Sequence, residues 1–261
     1  MATALIDADI VCYQASAAAQ RDFGDEVWTD VAGAFANAKE EITKQMEGAE
    51  CTEVILCFSP KNGSNFRKLV LKTYKMNRKK TPKPICYQEL RNRLEKKYVY
   101  KSIDWLEADD LMSLLNQQID DSVIVSIDKD MGAVPGVWFN PMKMVWAEET
   151  TLAKADYNWL YQTLKGDTTD GYKGLYMCGD KKAAVILSPF YKVKIINDVP
   201  VDSFDFVLAW EAVVDAYKLR EQEDYLVQAR VARILRSGDF DLKNKRIKLF
   251  NPDKEEWLQL P

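Results

Sequence analysis

The chain has 261 residues, 47% of them hydrophobic, a formal net charge of −4 and no histidine. That size and apolar content bury a core in one large domain or one and a half, while the missing histidine excludes Ser-His-Asp and Cys-His nucleophiles, histidine bases and histidine-containing zinc sites. Cys12, Cys51, Cys57, Cys86 and Cys178 form no CxxC pair, the first segment lacks signal-peptide character, and no apolar run reaches the ~18 residues of a membrane span, so the expected setting is a reducing cytoplasm with no membrane partner.

In chain order, residues 2–7 (ATALID) read as a strand closing on Asp7, and 31–49 as an alanine-rich helix. TEVILCF at 52–58 is continuous and β-branched, which suits a buried parallel strand. An amphipathic helix follows at 86–98, a strand at 98–103, a helix at 106–119 and a buried strand, SVIVSI, at 122–127. This alternation predicts an α/β domain with a mainly parallel sheet. Beyond residue 150 the patterns are helical, near 153–164, 179–188, 204–221 and 223–235, with a glycine-rich turn at 166–179 and a short strand and tail at the end.

The acidic residues fall at particular places in that scheme. Asp7 ends the first strand, Glu107, Asp109 and Asp110 open a helix after the strand at 98–103, and Asp128 and Asp130 follow SVIVSI. The carboxyl ends of parallel strands share one edge, where ligands bind. Carboxylates gathered there raise one another's pKa unless a cation neutralises them, and oxygen-only donors favour Mg²⁺ or Mn²⁺ over zinc. The plainer alternative for EADD is a helix N-terminus carrying the charge its dipole favours. A third pair, Asp167 and Asp170, sits in KGDTTDGYKG, where exposed backbone amides and a following helix N-terminus can grip a phosphate; an ordinary Asp- and Gly-rich turn is the alternative.

Residues 61–83 hold nine lysines and arginines and no acidic residue, among them Arg67, Lys68, Lys72, Lys75, Arg78, Lys79 and Lys80, with Phe66 and Tyr74 interleaved. Lysines meet phosphates and aromatic rings stack on bases, so the stretch suits DNA. Arg67, Tyr74 and Arg78 fall roughly at helical spacing, which suggests one face of a helical arch.

Taken in order, LIDAD, FRKLVLKTYKMNRKK, EADD, SIDKDM and GDTTDGYKG resemble the 5′→3′ nuclease family: flap endonucleases, the 5′-nuclease domain of bacterial DNA polymerase I and tailed-phage 5′ exonucleases, those of podoviruses included. The resemblance implies a PIN-like α/β core over 1–150, a basic arch at about 61–85, and a helical region over 151–261 with a helix–three-turn–helix DNA-binding element. It matches Asp7, Glu107, Asp109 and Asp110 to a first metal cluster, and Asp128, Asp130, Asp167 and Asp170 to a second. Lys75 and Arg78 match cations that contact the scissile phosphate, with Asp7 and Asp128 as the catalytic carboxylates. Arg67, Lys68, Lys72, Tyr74, Lys79, Lys80, Gly171, Gly174, Gly179 and Lys181 match DNA-contacting positions. Two places depart from the pattern. YMCGDKK replaces the usual Gly-x-Gly-x-Lys, and CFSPKNGS stands where family members carry an aspartate after the second strand, leaving Ser59 or Asn62 in its place. Asp9 would point the same way as Asp7 if the first strand continued.

The implied activity is Mg²⁺- or Mn²⁺-dependent hydrolysis from 5′ ends of double-stranded DNA, with two ions roughly 4 Å apart activating water and stabilising the leaving oxygen. Flap cleavage, removal of RNA from RNA–DNA hybrids and contact with replication proteins follow from the same likeness. One rival is a haloacid-dehalogenase-like phosphatase, with Asp7 as nucleophile, Asp9 as its acid/base partner and GDTTD as the metal loop. Another is a DNA-binding protein without catalysis, using only the basic stretch.

Overall fold

The computed structural model describes the chain except for Met1, Asp25, Thr81, Ala147 and Glu148, and except for the side chains of Lys79 and Lys80. The chain begins with β1 (Thr3–Asp7), α1 (Ala8–Ala19), a hairpin of β2 (Gln20–Asp22) and β3 (Val27–Thr29), α2 (Val31–Gly48) and β4 (Glu53–Cys57). It continues through the one-turn α3 (Arg67–Val70), α4 (Tyr87–Lys97), β5 (Tyr100–Lys101), α5 (Ala108–Asn116), β6 (Ser122–Val125), β7 (Trp138–Asn140) and β8 (Val145–Trp146). Then come α6 (Leu152–Lys165), α7 (Asp180–Leu187), the hairpin β9 (Tyr191–Ile196) and β10 (Val199–Phe204), α8 (Phe206–Lys218), α9 (Tyr225–Ala232), β11 (Phe240–Asp241), β12 (Arg246–Leu249) and β13 (Glu256–Gln259). These elements form two compact units: residues 1–65, 81–128 and 137–148, and residues 66–80, 129–136 and 149–261.

The first unit is built on a sheet of order β5-β4-β1-β6-β7-β8. Strands β5, β4, β1, β6 and β7 pair in parallel, and β8 runs antiparallel to β7. All five residues of β1 are buried, because a parallel strand covered on both faces has no solvated side to spend on polar residues. Asp7 lies opposite Cys57 in the β1–β4 register. Its side chain then accepts from the amides of Asp9 and Ile10, at 3.1 and 3.3 Å, and so caps α1. The strand therefore does not continue to Asp9, which opens a helix. That helix has no reading in the sequence patterns, since its alanine-rich run carries little amphipathic signal.

The second unit packs α6, α7, α8 and α9 around Trp159, Leu160, Leu164, Val213, Tyr217 and Ala229. The buried polar ends find backbone partners: Trp159 Nε1 donates to Ala229 O at 2.8 Å and the Tyr217 hydroxyl to Thr163 O at 2.7 Å. The expectation of a largely helical C-terminal hundred residues is corrected at the β9–β10 hairpin, and the short strand expected at the end is β12, which pairs with β11 and β13 in an antiparallel sheet. In β9, Tyr191, Val193 and Ile195 alternate with Lys192 and Lys194, a period of two in a stretch dominated by helical neighbours.

The arch is also corrected. Residues 66–80 are not one helix: α3 is followed by turns and by a 3₁₀ segment at Met76–Lys80. Lys75 takes a left-handed φ of 54°, which no continuous right-handed helix admits. The segment belongs with the second unit because its side chains anchor there. Arg67 is only 3% exposed, and its guanidinium donates to Val231 O at 3.0 Å and Arg233 O at 2.6 Å. Arg67 is thus a structural anchor and not a surface contact for DNA. Tyr74, equally buried, packs with Tyr172 and Val231 instead of facing outward to stack on a base.

Arg67→Ala leaves two buried carbonyls without their donor and is expected to destabilise the protein by about 2–4 kcal/mol in urea unfolding. Arg67→Lys, a point charge without the fork, should recover less than half of that loss.

Candidate active site

In the first unit the carboxyl ends of β1 and β6 and the start of α5 bring acids together. Asp7 is buried, and its pKa is raised from 3.8 to about 7, first by burial, then by Asp9 and further by Asp128, against the two α1 amides that lower it. Burial, followed by the charges of Asp7, Asp109 and Asp9, pushes the Cys57 thiol far up, which places Asp109 in the same neighbourhood. Asp128 follows β6 in a turn in which its amide donates to Ser126 Oγ at 3.1 Å. Glu107 and Asp110 open α5 as a capping box, Asp110 Oδ2 accepting from the Glu107 amide at 3.1 Å. The plainer reading of EADD is realised, since Glu107 and Asp110 cap the helix, while Asp109 lies near enough to Cys57 to raise its thiol.

The end of β4, where the family pattern has an aspartate, is organised differently. The Ser59 amide donates to Asp9 Oδ2 at 2.8 Å, Ser59 Oγ accepts from the Ala108 amide at 3.2 Å, and Arg91 donates to Ser59 O at 2.8 Å. Asp9 Oδ1 takes the Tyr87 hydroxyl at 2.6 Å, with the Arg91 guanidinium 3.9 Å away. Asp9 thus brings a carboxylate from α1 to the β4 end, and Ser59 ties it to α5. Asn62 lies apart from this arrangement, donating to Asp104 at 3.3 Å. The roles of Tyr87 and Arg91 carry no sequence signal, since both read as ordinary positions of an amphipathic helix.

In the second unit Asp130, Asp167 and Asp170 surround one tyrosine. Burial, then Asp130, Asp167 and Asp170 in turn, raise the Tyr172 hydroxyl well above its usual range. Asp167 Oδ1 accepts from the amides of Thr169 and Asp170 at 2.7 and 3.2 Å, closing the DTTD turn on itself. Asp130 accepts from Gln162 on α6. Asp170 meets the arch: the Tyr74 hydroxyl donates to it at 3.0 Å, the Lys75 ammonium lies 3.4 Å away, and Arg78 pairs with its other oxygen. The backbone joins as well, with the Lys75 amide donating to Asp170 O at 2.7 Å and Asn77 Nδ2 to Thr168 O at 2.8 Å. Asn77 was not among the candidate residues, and no motif points to it.

The glycines of this turn are required by space. A Cβ on Gly171 would lie 3.0 Å from Thr73 O, and one on Gly174 2.4 Å from the Gly166 amide, both at positive φ. Gly179 caps α7 in extended conformation, and Lys181, Lys68 and Lys72 are exposed. The side chains of Lys79 and Lys80 lie outside the described residues.

Among the described residues no three His, Cys, Asp or Glu side chains are gathered as closely as a bound ion would draw them. The donor chemistry nevertheless fits a hard divalent cation: oxygen only, with a buried Asp7 crowded by Asp9 and Asp128. The fold and this edge define an α/β protein of the resolvase-like class with an acidic site at the carboxyl ends of a parallel sheet.

Residues 2–154 match the 5′-3′ exonuclease N-terminal resolvase-like domain, and the chain belongs to that family. It is similar to the exonuclease of Escherichia phage T7, 28% identical over 95% of this chain and 93% of that protein. Among solved structures it resembles the bacteriophage T5 D15 protein co-crystallised with metal ions, with a TM-score of 0.54 and 14% identity over 89% of this chain and 97% of that one. It also resembles the T5 D15 flap endonuclease in a pseudo-enzyme-product complex with DNA and metal ions, with a TM-score of 0.53 and 16% identity over 89% and 93% of the two chains.

Because the folded state favours protonated Asp7, this group's contribution to stability falls as pH rises from 3.8 through about 7. Asp7→Asn keeps a good N-cap and removes the crowded charge. It should therefore raise the melting temperature of the EDTA-treated protein at pH 8 by a few degrees and abolish any further rise on adding Mg²⁺. Differential scanning fluorimetry with EDTA and with Mg²⁺ measures both.

Proposed function

We propose that this chain is a Mg²⁺- or Mn²⁺-dependent 5′→3′ exodeoxyribonuclease that hydrolyses phosphodiester bonds from the 5′ ends of double-stranded DNA. The observation that carries the reading is the crowding of Asp7 by Asp9 and Asp128, with Asp109 near the neighbouring Cys57, at the carboxyl edge of a parallel sheet in a member of the 5′-3′ exonuclease family. Asp7, Asp109 and Asp128, with Asp110, Glu107 and Asp9 around them, are the donors of the first unit; Asp130, Asp167 and Asp170 are those of the second. Two ions are the proposed complement. When bound, such ions lower the pKa of water and polarise phosphoryl oxygens.

The remaining work falls to the chain. Lys75 and Arg78 sit on the DTTD turn through Asp170 and are the cations proposed to receive the reacting phosphate and offset its charge. The exposed Lys68, Lys72 and Lys181 extend a sequence-independent grip on the backbone. The carboxylates of Asp7 and Asp109 would hold the cation, and the Asp9–Tyr87–Arg91 network keeps Ser59 and, through it, the start of α5 in place. Flap cleavage, RNA removal from hybrids and work beside replication proteins belong to the same proposal, as does a reducing cytoplasmic setting, supported by five free buried thiols. No described helix is long and apolar enough to cross a membrane.

The phosphatase rival loses its acid/base partner. Asp9 lies on α1, with its oxygens taken by the Ser59 amide and the Tyr87 hydroxyl, and not beside Asp7 on an extended strand. Family membership argues against a protein that only binds.

With Mg²⁺ and duplex DNA labelled at either the 5′ or the 3′ end, the 5′ label should leave first, as short products, and EDTA should stop the release. Early loss of the 3′ label would overturn the polarity. Asp128→Ala should abolish cleavage and leave DNA binding in EDTA within about twofold; retained cleavage removes Asp128 from the site. Lys75→Ala should slow single-turnover cleavage on the order of 100-fold or more with little change in binding, whereas equal losses in both would make Lys75 a binding residue alone.

A further inference from the structure

Helices α7 and α8 of the second unit border a surface groove of about 340 Å³ that shares only Lys181 with the proposed grip on DNA. Its floor is aliphatic: Val185 is 71% exposed and Leu219 83%. Its rim is cationic, with Lys181 and Lys182 from α7 and Arg220 just beyond α8, and no acidic side chain lines it. Lys181 and Val185 lie one helical turn apart and share a face of α7, so charge and apolar surface are presented together. Lys182 is held in place by donation to Met177 O at 2.9 Å, and Arg220 by donation to Ala216 O at 3.2 Å.

We infer that this groove docks an acidic peptide segment that carries an aliphatic or aromatic anchor, supplied by a protein partner. The charge of the rim selects carboxylates, and the floor selects what stands between them. A phosphodiester backbone would satisfy the three cations but has no apolar group to cover Val185 and Leu219. A second copy of this chain is also a poor occupant. The surface of opposite charge on another face of α8, rimmed by Glu211, Asp215 and Asp253, is itself a groove, and two concave surfaces do not interlock. A short convex peptide meets both requirements at once.

The probes are fluorescein-labelled octapeptides of aspartate with leucine or phenylalanine in every spacing, read by fluorescence anisotropy on the full chain. At least one should bind saturably with Kd on the order of 10–100 μM, weaken as salt is raised, and lose affinity when its apolar residues become serine. Val185→Ser with Leu219→Ser removes the floor without touching charge, at positions too exposed to matter to the core. It should weaken the peptide at least tenfold while melting temperature and release of the 5′ label stay at wild-type values. Lack of binding by every acidic–apolar peptide overturns the proposal, as does equal binding by the double variant. Equal binding by the all-serine acidic peptides, or displacement of the peptide by duplex DNA together with weaker DNA binding in the double variant, would make the groove a polyanion surface and overturn it equally.

Discussion

The first unit depends on burying a carboxyl group at the end of its central strand. β1 is covered on both faces, so the chain leaves the sheet at a point where water is already excluded, and the residue there is Asp7. One consequence is structural: its oxygen caps α1 and turns the chain. The other is electrostatic: the carboxylate is held near neutrality by burial and by Asp9 and Asp128. A site that destabilises its own acids is one that a divalent cation would stabilise, so the cost of the arrangement and its use have the same origin.

The second unit handles acid in the opposite manner. Asp170 is surrounded by donors, with Tyr74, Lys75 and Arg78 on its oxygens and the Lys75 amide on its carbonyl. These bonds join a basic segment around residue 75 to a turn around residue 170, and the left-handed Lys75 and the spatially constrained Gly171 are the backbone conditions for that approach. Basic side chains that read as a uniform DNA-facing stretch thus divide into three kinds. Arg67 is spent on carbonyls, Lys75 and Arg78 gather at Asp170, and Lys68 and Lys72 remain at the surface.

Much of the first unit was legible because its signals are local. Continuous β-branched runs gave β1, β4 and β6, amphipathic periods gave α2, α4 and α5, and each acid fell beside a strand end that could be placed on one edge by topology alone. α1 escaped because an alanine-rich helix carries no stripe. The β9–β10 hairpin and the partners of the C-terminal strand β12 escaped because short strands among helical patterns are decided by pairing with partners, not by period. The arch misled for a related reason: helical spacing of Arg67, Tyr74 and Arg78 says nothing of the backbone between them, which Lys75 interrupts.

By itself the sequence determined the alternation of β1, α2, β4, α4, β5, α5 and β6, the exclusion of histidine chemistry, and the set of carboxylates and cations from which a phosphodiester-cleaving site could be assembled, since these follow from composition and from residue spacing along the chain. Only the tertiary structure decided which partners those groups meet within the fold. It assigned Asp110 to a helix cap, Arg67 to buried carbonyls, Asp170 to the arch and Asp9 to the place after β4 where an aspartate was missing. Each of these is a choice among partners distant in sequence, and a buried polar group takes the partner that packing brings within reach.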